Sequence, residues 1–133
     1  MKPKKQRQGR RSVRSRAGRK MSEMVWEFAG EFIRMGKTLQ DRQNRLTAAS
    51  SAWNMACSPP EARQRALDKY IESYRSYCPR VTEEELSDIR SDMEKLVASK
   101  LSLFPDVQKQ IVHAEIFPEA GKDRIAVASM RLE

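Results

Sequence analysis

Between Val25 and Ala56 the apolar residues Val25, Phe28, Phe32, Met35, Leu39, Leu46, Ala49, Trp53 and Ala56 recur in alternating steps of three and four. Steps of that kind lay one apolar stripe along a helix, and of the ten a and d positions they define only Arg42 is polar. A chain with such a stripe has to bury it against other helices, a sheet or a second copy. Read as one helix from about residue 23 to Cys57, it is about 50 Å long at 1.5 Å per residue. Ser22 is the expected N-cap, and Glu23 and Glu27 suit the positive end of the helix dipole. A break near Gly36 is the alternative, because Thr38 and Asp41 resemble a capping pair. The regularity of the repeat favours the single long helix.

Ser58-Pro59-Pro60 ends that helix and starts the next, since proline blocks continuation yet fits a first turn. A second helix is predicted over 60–77, with Ala66, Leu67, Tyr70, Ile71, Tyr74 and Tyr77 on one stripe and Pro79 as its stop. Thr82 and Glu85 form a capping box ahead of a third helix over 83–104, whose apolar stripe runs through Leu86, Ile89, Met93, Leu96, Val97, Leu101 and Phe104. After Asp106 the pattern changes to segments rich in Ile, Val and Phe over 110–117 and 124–132, separated by Pro118-Glu119-Ala120-Gly121-Lys122-Asp123, which reads as a β-hairpin. Two strands alone are marginal in water, so one face must pack on the helices or an edge must pair with another chain. The expected fold is therefore α+β, mainly α: three amphipathic helices, the first one long, in a small bundle with a C-terminal β-hairpin. A length of 133 residues fits one such domain, over 22–133.

Charge divides the chain unevenly. Residues 1–20 hold ten cations (Lys2, Lys4, Lys5, Arg7, Arg10, Arg11, Arg14, Arg16, Arg19 and Lys20) and no acid, whereas the rest of the chain holds 16 basic and 18 acidic side chains. The formal charge of +8 belongs to this leader. Apart from Met1 its only aliphatic residues are Val13 and Ala17, too little apolar surface to offset about 1–2 kcal/mol per residue of backbone entropy. A disordered basic arm over 1–21 is the expectation. The run passes straight into Ser22-Glu23 with no apolar h-region, so a secretory signal is not predicted. The longest uncharged stretch, Leu46 to Pro60, is rich in Ser, Asn and Thr and falls short of the roughly 20 apolar residues that span a bilayer. No membrane association is expected, and a cytoplasmic location is.

A flexible polycation attracts polyanions by releasing their condensed counterions. RNA or DNA is the leading partner for the ten cations. The arm has no Phe, Tyr, Trp or His on which bases could stack, so binding through it should be nonspecific. A solvated extension without a ligand and a contact with acidic membrane or protein surfaces are the competing readings. Translation starting at Met21 would remove the arm altogether.

The remaining residues offer little chemistry. His113 is the one histidine, with no nucleophile motif around it, and reads as structural. Cys57 and Cys78 lack C-x-x-C spacing, and with His113 they supply only three zinc ligands, so no metal and no cofactor is expected. In an antiparallel pair of helices the two cysteines stand about 27 Å apart, which predicts free thiols and a reducing compartment. Glu84, Asp88 and Asp92, at i, i+4 and i+8, read as a solvated acidic stripe; docking of the basic arm on it is the sharper alternative. The second helix covers only half of a long first one, leaving Trp26, Phe28, Phe32, Ile33 and Met35 as a candidate protein interface or self-association seam. These readings converge on a non-enzymatic accessory or adaptor protein, with nucleic acid or nucleoprotein on the arm and protein on the body. The alternative is an oligomeric protein–protein interaction module with no nucleic-acid role.

Overall fold

The computed structural model of the protein describes residues 20–132. It has four helices, α1 (Met21–Arg34), α2 (Leu39–Cys57), α3 (Pro60–Tyr77) and α4 (Glu83–Leu103), followed by a hairpin of β1 (Lys109–Glu119) and β2 (Lys122–Arg131). The mainly helical bundle with a C-terminal hairpin is as the sequence predicts. The number of helices is not, because the expected long first helix is two helices joined by a tight turn.

The turn has identifiable causes. Thr38 caps α2 by accepting from the Asp41 amide at 3.0 Å. Gly36 is buried where a Cβ would meet the Arg42 backbone nitrogen at 2.8 Å, so only glycine lets the two helices come this close. Arg42, the one polar residue of the heptad series, reaches back to donate to the Gly36 carbonyl at 3.2 Å and places its Nε 2.7 Å from Asp123 at the far end of the chain. Met35 and Leu39, assigned to the seam of a continuous helix, are 65% and 40% exposed at this turn. The N-cap also moves: α1 begins at Met21 after Lys20, and Ser22 lies within the first turn.

α1 and α2 pack antiparallel, since the guanidinium of Arg45 lies over the Phe32 ring at 4.6 Å while Phe28, one turn earlier, meets Trp53 at 5.2 Å. α1 is covered within the chain by α2, α4 and β2. α3 is peripheral and buries only Leu67 and Ile71. α4 starts at the predicted capping box, Thr82 and Glu85 each bonding the other's backbone amide. Trp53 sits at the centre with no exposed surface, between Phe28 and Phe104 and among Val25, Ile33, Leu46 and Met93.

The hairpin pairs Ile111 with Ser129, Ala114 with Val127 and Ile116 with Ile125, with a bulge between Ile111 and His113 that leaves Val112 exposed. Its two-residue turn, Ala120-Gly121, has positive φ at both positions (53° and 79°), the twist that suits a tight hairpin. Ile111, Ala114, Ile116 and Ile125 face the helices; Glu115, Phe117, Ala126, Ala128 and Met130 face outward. Both strands outrun the expected 110–117 and 124–132 toward the turn. Among the described residues, no helix is long and apolar enough to cross a membrane.

Candidate functional site

The most developed polar arrangement lies along the seam of α2 and β1. Asn54 holds both backbone groups of Ile111: its Nδ2 donates to the carbonyl at 2.9 Å, and its Oδ1 accepts from the amide at 2.8 Å. Three turns earlier Gln43 donates to the Ala114 carbonyl at 3.1 Å and accepts from the Ile116 amide at 2.8 Å. The Trp53 indole donates to the Lys109 carbonyl at 2.7 Å. These side chains occupy the positions a third strand would take. Between the two amides lies a cleft of about 310 Å³ lined by Thr47, Ser50, Ser51, Val112 and His113. Its hydroxyls are turned into their own helix, Thr47 toward Gln43, Ser50 toward Leu46 and Ser51 toward Thr47. His113 is exposed, with Nε2 3.8 Å from Glu115, and no hydrogen bond joins it to a hydroxyl among the described residues. The arrangement suits holding a strand rather than activating a nucleophile.

A second cluster gathers beneath Trp53. Lys100 is completely buried; its Nζ donates to the Val107 carbonyl at 2.8 Å and lies 5.0 Å from the Trp53 ring. Loss of water holds its amine below the ordinary lysine value, with Arg63 adding to the effect and the Cys57 thiol opposing it. Burial likewise pushes the Cys57 thiol up, against the pull of Lys100. Its Sγ is 3.6 Å from the Lys109 carbonyl. Lys100 thus closes the α4–β1 connection by satisfying a carbonyl with a cation that aromatic and backbone dipoles accommodate.

Nine of the ten arm cations, Lys2, Lys4, Lys5, Arg7, Arg10, Arg11, Arg14, Arg16 and Arg19, lie outside the described residues. Lys20 is exposed at the start of α1. Because α1 is antiparallel to α2, its first turn points toward the C-terminal end of α2, the level at which Trp53 bonds Lys109 and Lys109 pairs with Arg131. The chain therefore enters the fold at the end that carries Lys20, Lys109 and Arg131.

Of the interface residues expected from the first helix, Phe28 and Ile33 are core residues, 5% and 0% exposed. Trp26 and Phe32 are half-buried, and Arg34 and Arg45 lie over their rings at 5.0 and 4.6 Å. Met35 alone of the five is well exposed. Glu84, Asp88 and Asp92 are exposed along α4. Cys57 and Cys78 are free, and among the described residues no three or more His, Cys, Asp or Glu come together as a metal site would require. Gln43 and Asn54, both within α2, carry no local sequence signal that marks them as partners of a strand. Comparison with family models, curated proteins and solved structures finds no match to this chain.

Proposed function

We propose that the protein is a non-enzymatic accessory or adaptor of the cytoplasm that holds RNA or DNA, or a nucleoprotein, without sequence preference through the cations of residues 2–20, and engages protein through its helical body. The observation that carries this reading is the charge asymmetry: ten cations without an acid, joined to a remainder with 16 basic and 18 acidic groups. Phosphate attraction is then a property of the leader rather than of the folded unit.

The test compares the full chain with a variant in which the ten cations are glutamine, titrated against RNA and duplex DNA at several salt concentrations. The full chain should bind both, losing roughly a thousandfold in affinity between about 50 and 200 mM salt, as six or more phosphate contacts require. The variant should bind neither measurably. Equal binding by both, or binding by the full chain that salt does not weaken, would reject the proposal.

A further inference from the structure

The bonds from α2 to β1 reveal which backbone groups of β2 point away from β1. In an antiparallel pair, a residue whose amide and carbonyl point away from the neighbouring strand stands opposite one whose groups also point away. Lys109, Ile111, Ala114 and Ile116 turn backbone groups toward Trp53, Asn54 and Gln43, so their partners Arg131, Ser129, Val127 and Ile125 direct theirs outward on the other side. Asp123 continues the alternation. No described side chain or backbone group bonds this outer row of β2. The segment Ile125–Met130 has no charge and no proline, the features that usually protect an edge.

We propose that β2 pairs edge to edge with β2 of a second copy, antiparallel about a two-fold axis at Val127, forming a four-stranded sheet in the order β1-β2-β2-β1. In this register Ile125 faces Ser129, Ala126 faces Ala128 and Asp123 faces Arg131 of the other copy, with the last pair occurring twice by symmetry. No like charges stand opposite one another. Shifting the register by one or two residues either way removes the Asp123–Arg131 pairing, so charge selects this alignment. Asp123 keeps its ion pair with Arg42 while its carboxylate accepts from Arg131 of the other copy, as a carboxylate has sites to do. The pairing also supplies the additional strands that a two-stranded sheet lacks. It uses β2 and none of the first-helix residues, and is independent of the nucleic-acid reading.

Nine residues a side, five of them with backbone groups directed across, make a small interface, so the dimer should form reversibly at micromolar concentration or above. Analytical ultracentrifugation of nuclease-treated full chain, in about 0.3 M salt so that polyanions do not bridge the arms, should show mass rising from monomer toward dimer up to about 500 µM. Val127→Pro removes the central outward amide while sparing every β1–β2 bond, and should abolish dimers with the circular dichroism spectrum unchanged. Arg131→Glu, at an exposed position, puts like charges opposite Asp123 twice and should weaken association by about tenfold. It carries the test should the proline variant fail to fold. A chain monomeric throughout that range, or a dimer indifferent to Arg131→Glu, overturns the proposal.

Discussion

The hairpin has two outer edges, and the rest of the chain meets them differently. Along β1 a helix lies close enough for Asn54, Gln43 and Trp53 to bond the backbone groups that a further strand would use. Along β2 no side chain among the described residues bonds the corresponding row, from Asp123 to Arg131. Sealing an edge this way takes amides at a spacing that matches both lattices: eleven residues of helix and five of strand each span about 16 Å. The difference teaches that the protection of a sheet edge here is a property of α2, and that removing it should convert the closed edge into a second open one.

The severest way to break the contrast is Trp53→Ala, which empties the centre of the core as well as freeing the Lys109 carbonyl. It should cost about 3–5 kcal/mol in urea unfolding. Trp53→Phe keeps most of the ring and loses the indole donor, and should cost clearly less; an equal loss would mean that the edge bond, rather than the ring, dominates. Asn54→Ala frees both groups of Ile111 and should cost about 2–3 kcal/mol, with hydrogen exchange at the Ile111 amide accelerating ahead of the rest of β1. The matching change on the open edge, Ser129→Ala, should stay within about 0.5 kcal/mol. Arg42→Met unties the hairpin tip from the α1–α2 turn. Because the ion pair is partly exposed, the loss should be only about 1 kcal/mol, and a double-mutant cycle with Asp123→Asn should show the two changes to be coupled.

The smallest effect is a dependence on alkaline pH at the point where β1 joins α4. The Lys100 amine is held below its ordinary value, so the unfolded chain binds a proton more tightly than the folded one, and stability should rise as pH climbs from the depressed value toward the ordinary lysine range near about 10.4. The raised Cys57 thiol has the opposite sign: stability should fall as pH rises from the ordinary thiol range through the raised value. In a Cys57→Ala background the rise should stand alone below about pH 10, where the buried Tyr70 phenol, also pushed up, begins to add a fall of its own, and adding Lys100→Met should flatten the rise. Urea midpoints across this range check both slopes, and a rise that survives Lys100→Met would assign it to another group.

Much of this architecture was legible in local patterns. The Pro59-Pro60 stop, the Thr82–Glu85 capping box and the apolar runs of the hairpin depend on residues a few positions apart, and each sits where the sequence placed it. The sequence favours one helix over the break near Gly36 because a turn of only four residues returns the chain to the same three-four rhythm, so the stripe continues across a change of direction. Arg42 was the discordant residue, and its role becomes visible only through Asp123, 81 positions later. Gln43 and Asn54 were illegible for a similar reason: their partners are 57 to 73 residues away, and nothing about an amide on a helix announces a strand beside it. The arm reads from charge alone, which explains why it suggests a class of partner and no geometry.

The central position of Trp53 has a practical consequence. Its indole touches α1 through Phe28, the end of α4 through Phe104 and the start of β1 through Lys109, so its fluorescence reports all three contacts in one signal. Trp26, the only other tryptophan, is half-buried beneath a guanidinium. A collisional quencher such as acrylamide should divide the emission into an accessible and a shielded component, and the shielded one serves as an intrinsic gauge of whether helices and hairpin are docked together.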